Sequence, residues 1–225
     1  MKNSCISLSF LALSVSCFSQ MPKETIDVKA KGILDELSAK TKTYTSIKAE
    51  FVSVVVSKDK KTAENVTGSL ETKGNKYRLE FKGQTILSDG KTQWTYIKES
   101  NEVQINNAPD ANTSDNINPV NIFTIYEKGF KYKYEKEDVV NGAAVHIINL
   151  YPMEPGKKNY HTVKLIIDKI KKQIIGVEIK MKNGGTNTIT LKSFVPNSEI
   201  PDTSFAFNKA DYKGIEIIDL REEDK

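Results

Sequence analysis

The sequence predicts a mainly β protein built on one antiparallel sheet that curls into a sandwich or barrel. Three observations carry this. Short runs in which apolar and polar residues alternate recur along most of the 225 residues, which is the period of half-buried strands. Turn residues separate them at short, even spacing, so neighbouring strands join by tight reversals. Helical periodicity is confined to two segments.

In chain order, Lys2 precedes an apolar, Ser-rich run from Cys5 to Phe18. It is too short to span a bilayer and has the form of a signal-peptide core. Cleavage after Ser19 makes residues 1–19 a signal peptide, with an exported chain starting at Gln20. Both cysteines, Cys5 and Cys17, would leave with the signal, so no disulfide supports the exported chain. A rival reading makes Cys17 a lipid-modified N-terminus, although Ser14 stands where a lipobox has Leu. Residues 20–225 are expected to form a single domain.

Ile26 to Tyr44 places Ile26, Ala30, Ile33, Leu34 and Leu37 on one helical stripe. Ser46 to Ser57 reads as a long strand, and Val66, Gly68 and Leu70 continue the two-residue period to a turn at Lys73-Gly74-Asn75. From Lys76 to Phe81, Tyr77, Leu79 and Phe81 alternate with charged residues. Gly83 reverses the chain into Gln84 to Leu87, Ser88-Asp89-Gly90-Lys91 turns it again, and Thr92 to Lys98 carries Trp94 and Tyr96. Val103 and Ile105 continue the meander. Asn107 to Asn118 is rich in Asn, Asp, Pro, Ser and Thr, the composition of a mobile surface loop. Pro119 suits a helix start, and Ile122, Phe123, Ile125 and Tyr126 crowd a short helix ended by Gly129. Strands follow at Phe130 to Tyr134, Val145 to Leu150, Val163 to Ile167 and Ile175 to Met181. A type I′ hairpin is expected at Asn183-Gly184, then a strand with Ile189 and Leu191, and a closing strand from Ile215 to Leu220.

Composition excludes several functions. Thirty-three basic against 29 acidic residues give a net charge of +4, and the lysines are scattered along strand faces without a basic, aromatic-laced block, so no nucleic-acid partner is expected. Residues 20–225 hold no Cys, and His146 and His161 stand singly without metal-ligand spacing. Asn183-Gly184-Gly185 lacks the Lys-Ser/Thr of a phosphate loop. No cofactor, metal or enzymatic constellation is expected. What remains is an apolar inner sheet face of Phe51, Leu70, Tyr77, Leu79, Phe81, Trp94 and Tyr96, with the two helical segments to cover it. Patterning leaves two outcomes open, a dry core or a ligand cavity.

The segments Ile33-Leu34-Asp35-Glu36-Leu37 and Tyr44 to Phe51, then Lys76 to Phe81 with Ser88 to Tyr96, and finally Phe205-Ala206-Phe207 to Asp219-Leu220-Arg221, resemble the periplasmic lipoprotein carriers of LolA type, particularly those of the Bacteroidetes. The resemblance implies an unclosed, strongly curved antiparallel barrel covered by α-helices. Its lid would comprise Ile33, Leu34 and Leu37 with Ile122, Phe123 and Ile125. It implies acylated lipoproteins as cargo, an inner-membrane ABC-type releasing transporter and an outer-membrane acceptor as partners, and a monomer in the periplasm. Two positions depart from the pattern. Lys73 stands where many relatives carry an arginine that latches the lid, and lysine lacks the planar guanidinium fork. Leu79 replaces a frequent tryptophan. The same fold also accommodates a periplasmic lipid- or lipoprotein-sensing domain, or an acceptor anchored through Cys17.

Overall fold

The computed structural model describes residues 27–60, 63–109 and 122–221; the signal segment, Cys17, Ile26, most of the loop from Asn107 to Asn118, and Pro119 lie outside them. Helix α1 spans Val28–Thr41. Twelve strands follow: β1 Ile47–Val56, β2 Ala63–Lys73, β3 Lys76–Phe81, β4 Gln84–Ser88, β5 Thr92–Ile97, β6 Glu102–Asn107, β7 Phe130–Val140, β8 Ala143–Pro152, β9 Tyr160–Asp168, β10 Gln173–Met181, β11 Thr186–Pro196 and β12 Glu216–Asp219.

All twelve belong to one sheet in the order β12-β6-β5-β4-β3-β2-β1-β11-β10-β9-β8-β7. Its outermost strands, β12 and β7, do not pair, so the barrel is unclosed. Local chemistry sets the pairing. Lys82-Gly83 and Asn141-Gly142 are two-residue reversals in which both residues have positive φ (49° and 74°, 50° and 80°), as a type I′ turn requires. The turn at Asn183-Gly184 differs from the expected type I′. Only Gly184 is left-handed (φ 88°), the Met181 carbonyl accepts from Gly184 N at 3.0 Å, and Met181 N donates to Gly185 O at 2.9 Å. This is the three-residue loop with a left-handed glycine at its end. In β11 the register slips beside Glu50 and Phe51, leaving Lys192 unopposed; such a bulge bends the strand, and here it turns both Leu191 and Phe194 inward.

The closing strand also departs from the antiparallel expectation, because β12 runs parallel to β6, pairing Glu216 with Glu102 and Asp219 with Ile105. A tight turn cannot produce that arrangement. The chain instead crosses from β11 over the convex face to the opposite edge, through 3-10 turns at Asp202–Phe205 and Lys209–Asp211.

Asp27 caps α1. One carboxylate oxygen accepts from Ala30 N at 2.9 Å, the other from Tyr134 N at 2.8 Å, which fastens the helix start to edge strand β7. Leu34 and Leu37 pack onto the concave side of β8, β9 and β10 with Ile148, Leu150, Leu165 and Val177, so the C-terminal half of the hollow is a filled core. Where the expected Pro119–Tyr126 helix falls within the described residues it is not α-helical: residues 122–124 form a turn and Ile125–Glu127 a 3-10 helix. Gly129, left-handed at φ 78°, follows this 3-10 helix, whose three residues are fewer than one α-helical turn.

Candidate functional site

The concave side of the central strands holds a cavity of about 300 Å³. Its walls are Ala49 and Phe51 from β1, Leu70 from β2, Leu79 from β3, and residues of β10 and β11 including Val177, Ile179, Ile189 and Leu191; Ile122 and Phe123 cover it. Asn159 and Asn187 are the amides at its border, and Ser53 Oγ donates to Asn187 Oδ1 at 2.8 Å. Among the described residues no carboxylate, Lys, Arg or His lines it, so the site offers dispersion contacts and water exclusion rather than acid–base chemistry. Among the described residues no group of three or more His, Cys, Asp or Glu is placed to hold a metal.

The sequence-predicted inner face divides in four. Phe51, Leu70 and Leu79 line the cavity. Tyr77 lies beside it in a cluster with Ile47, Ala49 and Phe123. Its hydroxyl donates to Gln93 Oε1 at 2.6 Å, and burial pushes its phenol up to about 12. Phe81 is on the same face as Leu79 but borders a second, open hollow at the sheet's end.

Trp94 and Tyr96 are corrections, since both lie on the convex side. Opposed residues of an antiparallel pair share a face. The pairs Phe81↔Gln84 and Leu79↔Ile86 continue to Ile86↔Thr95, so the inner residues of β5 are Gln93, Thr95 and Ile97. Trp94 opposes Leu87 and Ile105, and Tyr96 opposes Val103. The returning C-terminal segment covers this outer patch: Tyr96 meets Tyr212 with ring centroids 4.6 Å apart, Tyr212 stacks on Phe207, and fully buried Phe205 belongs to the 3-10 turn packed on β3 and β4. The sheet is apolar on both sides here, so hydrophobicity misassigns the face. The parity imposed by the Lys82-Gly83 reversal assigns it.

The expected lid residues separate likewise. Ile122 and Phe123 roof the cavity, with Phe123 edge-on to Phe194 at 5.4 Å. Leu34 and Leu37, with Ile33 and Ile125 against them, are in the α1 core instead of over the cavity. Helix α1 braces the cover from outside, where Ser38 Oγ donates to the Glu127 carboxylate and Lys42 Nζ lies 3.4 Å from it. Lys73 does not latch this lid. Its ammonium donates to Ile200 O at 3.1 Å and Asp202 Oδ1 at 2.9 Å, because position 73 faces the convex side where the C-terminal segment returns. Lys76 donates to the other oxygen of Asp202 at 2.7 Å, and the two ammonium groups hold the Asp202 carboxyl down to about 2.

Comparison with known proteins places this geometry. The family model "Outer membrane lipoprotein carrier protein LolA" matches residues 42–208. No curated protein matches the chain by sequence. Among solved structures, an uncharacterized conserved protein from Thermus thermophilus is similar with a TM-score of 0.56 at 12% identity, over 85% of this chain and 99% of that one; it shares the fold. A LolA superfamily protein from Nitrosomonas europaea matches with a TM-score of 0.44 at 11% identity, over 79% and 97% of the two chains. Lipoprotein LppX of Mycobacterium tuberculosis matches with a TM-score of 0.45 at 13% identity, over 76% and 98%. With the family model spanning most of its length over the unclosed barrel described above, this chain belongs to the outer membrane lipoprotein carrier protein LolA family.

Proposed function

We propose that this protein is a periplasmic carrier that binds the acyl chains of lipoproteins and takes them from the inner to the outer membrane. The observation that carries the reading is the cavity under Ile122 and Phe123, apolar on nearly every wall and with no charged side chain among its described lining residues. The physical need is large: three acyl chains expose on the order of 45 methylenes, each costing ~0.8 kcal/mol in water. Phe51, Leu70 and Leu79 form the wall against which hydrocarbon lies, and Phe81 the rim.

Taking ~30 Å³ per methylene, the share of a water molecule, about 300 Å³ receives on the order of ten methylenes. A triacylated cargo therefore displaces the segment from Ile122 to Tyr126, whose Phe123 and Tyr126 side chains are buried and whose end is tied to α1 through Glu127. No energy-coupling motif lies in residues 20–225, so an inner-membrane ABC-type transporter supplies the loading energy, and an outer-membrane acceptor with higher affinity takes the cargo off. The carrier works as a monomer, exported by a signal peptide cleaved near Ser19. Co-expression with an acylated lipoprotein, purification and mass spectrometry of the bound species test this. Recovery of the acylated protein with the carrier is expected, and failure to retain any acylated protein contradicts the reading.

A further inference from the structure

The concave face does not stay apolar to its edge. A single cross-strand row runs Phe194, Ala49, Leu70, Leu79, Ile86, Thr95, Gln104 from β11 to β6, and its chemistry changes between Ile86 and Thr95. The row beside it ends in the pair Gln93↔Asn106. Four amide or hydroxyl side chains thus form a half-buried polar wall on the concave face, separated from the cavity-lining Leu79 by Ile86. At ~4.8 Å per strand, Thr95 lies about 10 Å from Leu79, the reach of the groups that join acyl chains to a polar head.

We propose that this wall is the subsite for the uncharged head of the bound amphiphile, a glyceryl ester joined to a peptide amide, and that it selects against phospholipid headgroups. The proposal rests on the carrier reading above. Two features of the wall support it. Two of its three amides are held at one end only: Gln93 Oε1 accepts from Tyr77, leaving its amide nitrogen as a donor for ester or peptide carbonyls, and Gln104 Nε2 donates to Glu102 at 2.7 Å, leaving its carbonyl as an acceptor for peptide N–H. The inward positions of β4, β5 and β6 carry no Lys or Arg, and their one ionised side chain is Glu102. A phosphate placed there meets a carboxylate and no counter-charge, whereas ester and amide groups meet neutral partners.

The test uses the full exported chain loaded with a fluorescent fatty acid and two competitors with identical acyl chains, an S-diacylglyceryl-cysteinyl peptide and phosphatidylglycerol. The lipopeptide is expected to displace the probe at least tenfold more effectively. Thr95→Val with Gln104→Leu is expected to erase most of that preference while leaving fatty-acid affinity within about twofold, which also checks folding. Gln104→Lys is expected to shift preference toward phosphatidylglycerol. Equal displacement by the two competitors, or an unchanged preference in both variants, overturns this inference alone. Absence of fatty-acid binding to the native protein overturns it together with the carrier reading.

Discussion

The ring of Phe51 on β1 lies across Gly68 on β2, so closely that a Cβ at residue 68 would stand 2.5 Å from Phe51 Cζ and 2.6 Å from the Glu80 carbonyl oxygen. The absent side chain at this cross-strand partner lets an aromatic ring fold down at the cavity's end, toward Phe81.

Gly68→Ala therefore pushes against both a ring and a neighbouring backbone. Overpacking of this kind costs roughly 1–3 kcal/mol. Urea unfolding should give a lower midpoint with an unchanged slope, and apolar-probe binding should weaken because Phe51 is a cavity wall.

Leu79→Glu places a carboxylate in the cavity lining, where a charge has no partner. Fluorescent fatty-acid titration should show at least a tenfold loss of affinity, with far-UV circular dichroism unchanged. Phe81→Glu, at the open hollow, should cost less than Leu79→Glu.

Glu127 holds the cavity cover to α1 through Ser38 and Lys42. Glu127→Ala should speed dissociation of a bound apolar probe in stopped-flow measurements, by several-fold, with little change in thermal midpoint because these contacts are partly solvated.

Asp202 clips the C-terminal crossing to Lys73 and Lys76. Its folded pKa of about 2 is below its ordinary 3.8, so the stabilisation is complete above about pH 4 and is lost as pH falls through about 2. Hydrogen exchange of residues 200–205 should accelerate in that window in the native protein, and Asp202→Asn should show the faster exchange already at neutral pH.

The strand meander was legible because two-residue alternation and Gly-containing turns are local signals, and the amphipathic stripe of α1 was equally local. The division of the sheet's faces was not, since it depends on register. Trp94 and Tyr96 look like cavity residues until Phe81 is paired with Gln84, and the C-terminal segment whose Tyr212 meets Tyr96 joins from more than 100 residues away. Lys73 was recognisable as a position of interest, but its partner Asp202 comes from that same long-range crossing. The bulge that turns both Leu191 and Phe194 inward has no signature in alternation, which is the rule it breaks.

Site-specific photo-crosslinking tests whether the concave wall holds the acyl chains. A benzoylphenylalanine placed at residue 79 or at residue 94 is irradiated in cells making an acylated lipoprotein. A crosslink to the lipoprotein's acyl region is expected from position 79 on the concave wall and none from position 94 on the convex side. Crosslinking from position 94 but not from 79 would contradict it.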